Sequence, residues 1–460
     1  GYSEALYDGS RRSSDYLTLP GGTKLAFGIF VGSRLLGAAT LGGGPFNGCA
    51  LVEGATSADC LTLTRLWLSD ELPRNSESKV IGTLQREMRR HTSVRFLLSY
   101  ADPSRGHVGT IYQAANWLAV GHSQGREYAE LPWGVDIMVV ISFSLVIANF
   151  LLTIRRRTEP ILYVSIWYAA AAVVLTACTY LLGNVVWKPD TGALTGIPDA
   201  ILLWFYGHNV FGLLLSPMAL GVAYYVLPIA TRSPLYSHTL SLIGFWSLII
   251  VYTHIGTHHL LQVPVPTWLK TISIVDSVAM IIPVMVFLIN IWYTVKGKLG
   301  DVHADIGAKF VFTGTIYYFF VNIQGSMMAL PDVQRITHFN NWVVGHAHMG
   351  VLGFAGVTAL GGLYFILPRI TGRPLYSRFL ADFQYWLVLI GITGFSIVLT
   401  IVGLIQGQAW YNGETLYRTL PGLQPYFITR LSLGLLIMVG AYTGLYNVAR
   451  SLYFNRGAAA

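Results

Sequence analysis

From residue 134 onward the chain is a succession of nine apolar runs, each of about the 20 residues needed to cross a hydrocarbon core. They cover 134–154, 161–183, 200–228, 239–261, 270–294, 309–330, 342–367, 382–404 and 426–449, with polar turns between them. The first 121 residues follow a different pattern. Alternation from Thr23 to Leu41 predicts two strands about a Gly32-Ser33 turn, and Leu61 to Leu68 and Val94 to Tyr100 predict two more. Asn75 to His91, behind Pro73, predicts a basic amphipathic helix, and Gly106 to Trp117 a loop feeding a helix. The expected organisation is a small soluble α/β domain over 1–121, a junction over 122–133, and a polytopic membrane helix bundle over 134–455. The fold class is mainly α.

Composition sharpens this division. The 460 residues are 53% hydrophobic and 11% charged, against about 25% charged in a typical soluble domain. An ordinary soluble enzyme, a disordered chain and a nucleic-acid binder are all disfavoured. Residues 1–132 hold 25 charged side chains and residues 133–460 hold 27, so charge is concentrated in the first part. In the bundle, Arg155, Arg156, Arg157, Arg232, Lys296, Lys298, Lys309, Arg369, Arg373, Arg378, Arg450 and Arg456 collect on one side. Lys188, Lys270, Arg335, Arg418 and Arg430 fall on the other. That bias predicts a cytoplasmic C-terminus, and nine crossings then put the start of the membrane part outside. Cys49, Cys60 and Cys178 are too scattered for a disulfide scaffold or a cysteine zinc site. No signal-peptide pattern is visible. The stretch Tyr225-Val-Leu-Pro228 … Pro234-Leu-Tyr-Ser237 recurs 140 residues later as Phe365-Ile-Leu-Pro368 … Pro374-Leu-Tyr-Ser377, which predicts two related helix units.

Histidines carry the candidate chemistry, because an ionisable side chain within a bilayer is costly and marks function by default. His346 and His348 lie two residues apart in Gly345-His346-Ala-His348-Met-Gly350, about 200° apart around a helix. They cannot share one small metal, but each can ligate a separate planar group on its own flank. Haem suits that arrangement; a pair of core histidines bonded to carbonyls is the other reading. His208, in Trp204-Phe-Tyr-Gly-His208-Asn, and the adjacent His258 and His259 sit toward the same end of successive spans. Three imidazoles with an open position suit copper or zinc, and also iron. Tyr252, six residues before His258, is placed about 9 Å away along a helix axis and could offer a phenol. His254 reads as an ordinary bonded side chain, and His238 and His303 fall in turns.

These motifs carry a resemblance. Residues 124–455 resemble the catalytic subunit I of cbb3-type cytochrome c oxidase, the C-family of haem-copper oxygen reductases. The Trp-Phe-Tyr-Gly-His-Asn, Tyr-x5-His-His and Gly-His-x-His stretches come in that family's order, and Gly125-Arg-Glu-Tyr-Ala-Glu130-Leu-Pro-Trp133 resembles its segment before the fourth helix. The resemblance implies that His208, His258 and His259 bind copper. It implies that His346 is the axial ligand of a high-spin haem b and His348 one axial ligand of a low-spin haem b. Tyr252 is implied to be the tyrosine cross-linked to His208, and Glu127 or Glu130 to belong to a calcium site. The implied activity is reduction of dioxygen to water with electrons from cytochrome c through partner c-type haem subunits, coupled to proton translocation, in a bacterial inner membrane whose lipid surrounds the bundle. Two departures stand out. Gln324 occupies the place of a family glutamate before Gly-x-Met-Met. The family's three helices before the Gly-Arg-Glu-Tyr segment, the second bearing the other low-spin axial histidine, have no counterpart here, and His91, His107 and His122 lie in polar sequence. The low-spin haem is expected to be half ligated. Nitric oxide reductase is the neighbouring alternative; it carries a glutamate four residues after the first metal histidine, where this chain has Gly212.

Residues 1–121 resemble the acyltransferase-like fold of phage Mom-type DNA-modification proteins. Thr64-Arg65-Leu-Trp67 through Ser76, and Ser99-Tyr-Ala-Asp102-Pro through Trp117, carry the likeness. It implies Arg65, Asp102 and Tyr112 as active-site candidates, each also readable as a helix cap or strand end. The stretch reads as a fragment. Two further readings therefore stay open: a membrane-anchored acyltransferase-like protein, and an inactive chimera.

Overall fold

The computed structural model describes residues 23–42, 52, 55–56, 58–99, 110–115, 117, 133–185, 197–262, 265–414 and 416–454. The chain forms two compact units, residues 1–125 and 126–460.

In the first unit the alternating stretch forms β1 (Thr23–Val31) and β2 (Arg34–Gly42), antiparallel about Gly32, whose φ of 63° suits a residue without a Cβ. β3 (Cys60–Leu68) pairs antiparallel with β2, and β4 (Phe96–Leu98) joins β3 in parallel, giving the order β1-β2-β3-β4. The parallel step requires a crossover, supplied by α1 (Ser76–His91). Ile81, Leu84 and Met88 of α1 recur at helical spacing and bury against Ala39, Leu41, Leu61 and Leu63 of the sheet. The short helix α2 (Thr110–Gln113) completes the described part.

The second unit is helical. Its α-helices are α3 (Trp133–Arg155), α4 (Val164–Tyr180), α5 (Ile197–Val210), α6 (Ser216–Ala230), α7 (His238–Tyr252), α8 (Thr267–Ala279), α9 (Ile281–Val295), α10 (Leu299–Ala304), α11 (Ile306–Met328), α12 (Pro331–Thr337), α13 (Asn341–His348), α14 (Val357–Thr371), α15 (Arg378–Tyr411) and α16 (Leu416–Ala449). Among the described residues, eight continuous helices are long and apolar enough to cross a membrane. The ninth expected span, 239–261, is built differently. α7 is a 15-residue α-helix that stops at Tyr252, and a tighter 3-10 turn over Ile255–Leu260 follows it. Gly256 explains the change. A Cβ there would run into the carbonyl of Trp204, so this turn is packed backbone to backbone against α5.

Four π turns occur among the described residues; Leu181–Val185 and Arg450–Phe454 end helices, and two lie inside spans, Phe211–Leu215 between α5 and α6 and Met349–Gly356 between α13 and α14. Each of the latter two widens the helix just after a candidate histidine, a placement π-bulges commonly take at functional sites. The core is aromatic: Tyr168, Tyr224, Phe245, Phe287 and Tyr318 pack together in stacked and edge-to-face pairs. Outward-facing Trp246, Ile250, Phe320 and Ile390 are more than half exposed. Their places on apolar helices make them lipid-facing. The protein is an integral membrane protein.

The repeated Pro-Leu-Tyr-Ser stretch has a repeated structural role. Ser237 and Ser377 each accept from the backbone N–H three residues on and so cap α7 and α15. In the first copy the Ser237 N–H donates to Asn290 Oδ1 at 2.9 Å and Asn290 Nδ2 donates to the Ser237 carbonyl at 2.9 Å. In the second copy Asn447 makes the same two bonds to Ser377, at 3.0 and 2.8 Å. Thr294 and Ser451, one turn further on, accept from Tyr236 and Tyr376. Both asparagines are fully buried, so removing either strands two backbone groups. Asn290→Ala and Asn447→Ala are each expected to cost about 2–3 kcal/mol. Unfolding of the extracted protein by denaturant checks this, and equal losses in the two variants are the signature of equivalent roles.

Candidate metal centre

His208 lies in the last turn of α5, and His258 and His259 in the 3-10 turn after α7. Their nitrogens come within 4.8 Å of one another, which makes them a cluster that could hold a metal ion. Ring centroids are 4.8 Å apart for His208–His258, 5.4 Å for His208–His259 and 4.5 Å for His258–His259. Adjacent residues diverge on any helix. Here the break after Tyr252 and the close approach at Gly256 turn both rings of the pair toward α5.

Each imidazole is held separately. His258 Nδ1 lies 2.9 Å from Ser277 Oγ, whose own hydrogen goes to the Ser273 carbonyl at 2.5 Å. The serine therefore accepts, Nδ1 of His258 carries a proton, and Nε2 is left free to ligate. Gln334 Nε2 donates to the His258 carbonyl at 2.6 Å and fixes the turn from α12. His259 stacks on Trp204 at 3.8 Å and 12°. Nδ1 of His208 is buried without a hydrogen-bond partner. A buried orphan nitrogen is costly, and a metal ion is a partner it can take.

Tyr252 stacks on His208 with centroids 4.7 Å apart and 27° between planes. The space it fills exists because residue 212 is glycine: a Cβ at Gly212 would fall within the Tyr252 ring. His208, Tyr252, His258, His259, Trp204 and Ser277 line a cavity of about 340 Å³ whose wall also carries His346. His346 stacks parallel to Trp342, its Nδ1 is buried and unpartnered, and Gly325 leaves its ring edge uncovered within 3.4 Å of where a Cβ would stand. Gly350 also lines the cavity. His348 leaves the other side of the helix; its Nδ1 lies 2.8 Å from the Val344 carbonyl and its ring lies 5.0 Å from Phe395. His254 faces Asp276 at 3.4 Å.

The structure thus brings together His208, Tyr252, His258, His259 and His346, and sends His348 elsewhere. Glu127, Glu130 and Asp102, together with His107 and His122, lie outside the described residues. Arg65 pairs with Thr40 in the β2–β3 ladder. Tyr112 lies on α2 with its ring 5.4 Å from Trp117. Ser277 and Gln334 escaped sequence reasoning. They are 19 and 76 residues from His258, and nothing in their neighbours' spacing announces a second sphere. Trp204 was legible, one helical turn before His208. Ser277→Ala removes the acceptor that sets the His258 tautomer. It is expected to weaken metal binding by the cluster about 10–100-fold, read by competition with a chelator.

The helix bundle thus sets a tris-imidazole cluster that could hold a metal ion opposite a fourth histidine across one cavity. Comparison with known proteins gives the family. Residues 89–436 match the model of the Cytochrome C and Quinol oxidase polypeptide I family, and the chain belongs to that family. It is 32% identical over 356 residues to the cytochrome c oxidase subunit 1 homolog of Agrobacterium tumefaciens, covering 74% of this chain and 66% of that protein. It is 30% identical over 354 residues to the cbb3-type cytochrome c oxidase subunit CcoN1 of Stutzerimonas stutzeri, covering 74% and 75%. A solved heme-copper terminal oxidase dimer aligns with a TM-score of 0.49 at 19% identity, over 68% of this chain and 56% of that one. The chain spans about two thirds of the length of the curated relatives it matches. Residues 14–131 match the model of the Mom protein family, so the two matches overlap over 89–131.

Proposed function

We propose that the chain is the catalytic subunit of a terminal oxidase that reduces dioxygen to water. The observation that carries this is the single cavity in which His208, His258 and His259 converge, Tyr252 stacks on His208, and His346 faces them. The residues fit the groups the family implies. Three imidazoles with one partnerless buried nitrogen suit copper. A lone histidine opposite, bordered by glycines, suits an axial haem ligand. Bound there, a haem and a copper ion would supply the electrons that dioxygen requires.

The chain's own groups do the rest. Ser277 and Gln334 orient His258, and Trp204 holds His259 flat. The Tyr252 hydroxyl is the proton donor that the cavity wall offers beside His208, and the adjacency of the two rings supports the cross-link that the resemblance implies. His348, on the opposite flank, would be the residue that holds a low-spin haem. Gly212 separates this reading from a nitric oxide reductase: the space a glutamate side chain would need is filled by Tyr252. Electrons would come from cytochrome c through c-type haem subunits, with proton translocation. The C-terminus lies in the cytoplasm and the bundle begins outside. A calcium site at Glu127 or Glu130 rests on the resemblance alone. The family match to residues 14–131 supports an acyltransferase-like N-terminal domain over 1–121, with Arg65, Asp102 and Tyr112 as candidates and 122–133 as its junction.

The test is optical. Reduced-minus-oxidised and carbon monoxide difference spectra of the extracted protein, with haem and copper counted per chain, are expected to show one copper and a haem that binds carbon monoxide. A second haem reports that another group completes the coordination begun by His348. Absence of any haem sinks the oxidase reading and leaves the N-terminal domain as the functional part.

A further inference from the structure

A groove of about 580 Å³ runs between α11 and α15. Ile316 and Phe320 of α11 and Ile397 and Ile401 of α15 line it, and all four are exposed. In a membrane such a surface meets hydrocarbon. The hydroxyls in the groove are already satisfied by one another. That of Tyr385 pairs with Thr313 at 2.8 Å and that of Tyr317 with Thr393 at 2.6 Å. Along α11 the groove extends from Thr313 to Gln324, a rise of about 16 Å at about 1.5 Å per residue. That is about half of a hydrocarbon core of about 30 Å, the depth of one leaflet.

One end of the groove is charged. Asp382 and Arg378 continue the Tyr385 face of α15 toward its N-terminus at helical spacing, as Lys309 continues the Thr313 face of α11. The Lys309 ammonium donates to Asp382 at 2.9 Å and lies 4.1 Å over the Tyr385 ring. Arg378 reaches the same Asp382 at 3.7 Å and donates to the Ala304 carbonyl at 2.7 Å. Arg369 of α14 comes to the next residue, Asp305, at 3.8 Å. Three cations thus gather about two carboxylates where α10 meets α11, and one positive charge is left over. Lys309 is buried, whereas the side chains of Arg369 and Arg378 are 48% and 63% exposed. Ile370 and Phe379, next to them in the chain, are exposed as well. Such a mixed surface suits the boundary between headgroups and hydrocarbon. The fold of this corner does not need its charges. The turn at Ser377 has its twin at Ser237, where Ile229, His238 and Leu242 stand in the places of Arg369, Arg378 and Asp382. That turn is capped and bracketed in the same way without them.

We propose that the groove and its charged corner bind one anionic phospholipid, with the phosphate against Arg369 and Arg378 and an acyl chain along the groove. The planar fork of arginine pairs with phosphate oxygens two at a time, and a basic pocket between membrane helices is a known form of headgroup recognition. The site requires a membrane-spanning bundle and nothing of the oxidase reading. To test it, the full chain is reconstituted in phosphatidylcholine nanodiscs containing a minor share of phosphatidylglycerol, extracted in mild detergent, and its bound lipid counted by native mass spectrometry. One phosphatidylglycerol per chain is expected to be retained in preference to phosphatidylcholine. Arg369→Gln combined with Arg378→Gln is expected to weaken its binding about 30-fold, from about fivefold for each basic group near a membrane surface. Ile397→Trp replaces an exposed side chain and fills the groove. It is expected to weaken binding at least tenfold with both arginines in place. Glycerol 1-phosphate, a headgroup without chains, is expected not to displace the lipid. Thermal unfolding of the wild type in detergent gives a readout that needs no variant: phosphatidylglycerol is expected to raise the midpoint more than phosphatidylcholine does. A chain that retains no phosphatidylglycerol, or is stabilised equally by both lipids, overturns the proposal. So does retention that either variant leaves unaltered. Displacement by glycerol 1-phosphate overturns it too, since the corner then takes any phosphate.

Discussion

His208→Ala is expected to abolish copper binding while leaving the bundle folded. One of three converging nitrogens is lost, and the two that remain sit on adjacent residues of one turn, with no third imidazole in reach among the described residues. Second-sphere partners alone are worth about 10–100-fold in metal affinity, so loss of a ligand exceeds that range. Copper per chain should fall below a tenth of its wild-type value, and dioxygen reduction should fall at least a hundredfold. Folding is spared for a physical reason. Nδ1 of His208 makes no hydrogen bond and the ring borders an existing cavity, so truncation removes an unsatisfied polar atom rather than a packed apolar one. A haem at His346, as proposed, is therefore expected to persist, with its carbon monoxide spectrum shifted. His254→Ala is the control. It lies in the same stretch, is exposed and faces Asp276, and should leave copper content unchanged. Elemental analysis of purified protein reads both. Full copper in the His208 variant would remove this cluster from the chemistry.

How much of this was legible in the sequence depends on the range of the interaction. The helical spans were, because bilayer thickness sets run length. The divergence of His346 and His348 was as well, because helical periodicity alone fixes it, and so were the strands about Gly32-Ser33. The convergence of His258 and His259 needed more. Hydropathy extends the fourth run through Leu261, but the clash that Gly256 avoids with α5 ends the α-helix at Tyr252, and that contact joins residues 52 positions apart. The Asn290 and Asn447 brackets illustrate the same limit. The echoed Pro-Leu-Tyr-Ser turns were visible, whereas the asparagines that read their backbones lie 53 and 70 residues away. The hidden second sphere of His258, and the groove with its charged corner between α11 and α15, are likewise products of packing between distant helices.

Gly212→Ala should separate the tyrosine from the metal cluster. The added methyl would occupy the Tyr252 ring position, with the atoms in conflict belonging to a rigid ring rather than to a flexible chain end. The ring must leave its stack on His208, and overpacking of this kind costs about 1–3 kcal/mol. No ligand nitrogen is touched, so copper should stay within about twofold of wild type. The phenol, displaced from the cavity wall, could no longer deliver the proton proposed for it. Turnover is expected to fall about a hundredfold, the loss that Tyr252→Phe should also produce; general-acid contributions of about 10²–10⁴ are typical. The double variant Gly212→Ala with Tyr252→Ala settles the cause. Removing the ring makes room for the methyl, so stability should recover by at least half of the Gly212→Ala loss, a coupling expected of residues in contact. Turnover should not recover, because the hydroxyl is gone. If Gly212→Ala retained full turnover, Tyr252 would have no part in the chemistry. If Gly212→Glu folded with Tyr252 excluded and reduced nitric oxide instead of dioxygen, the glycine would be the residue that decides between the two reactions.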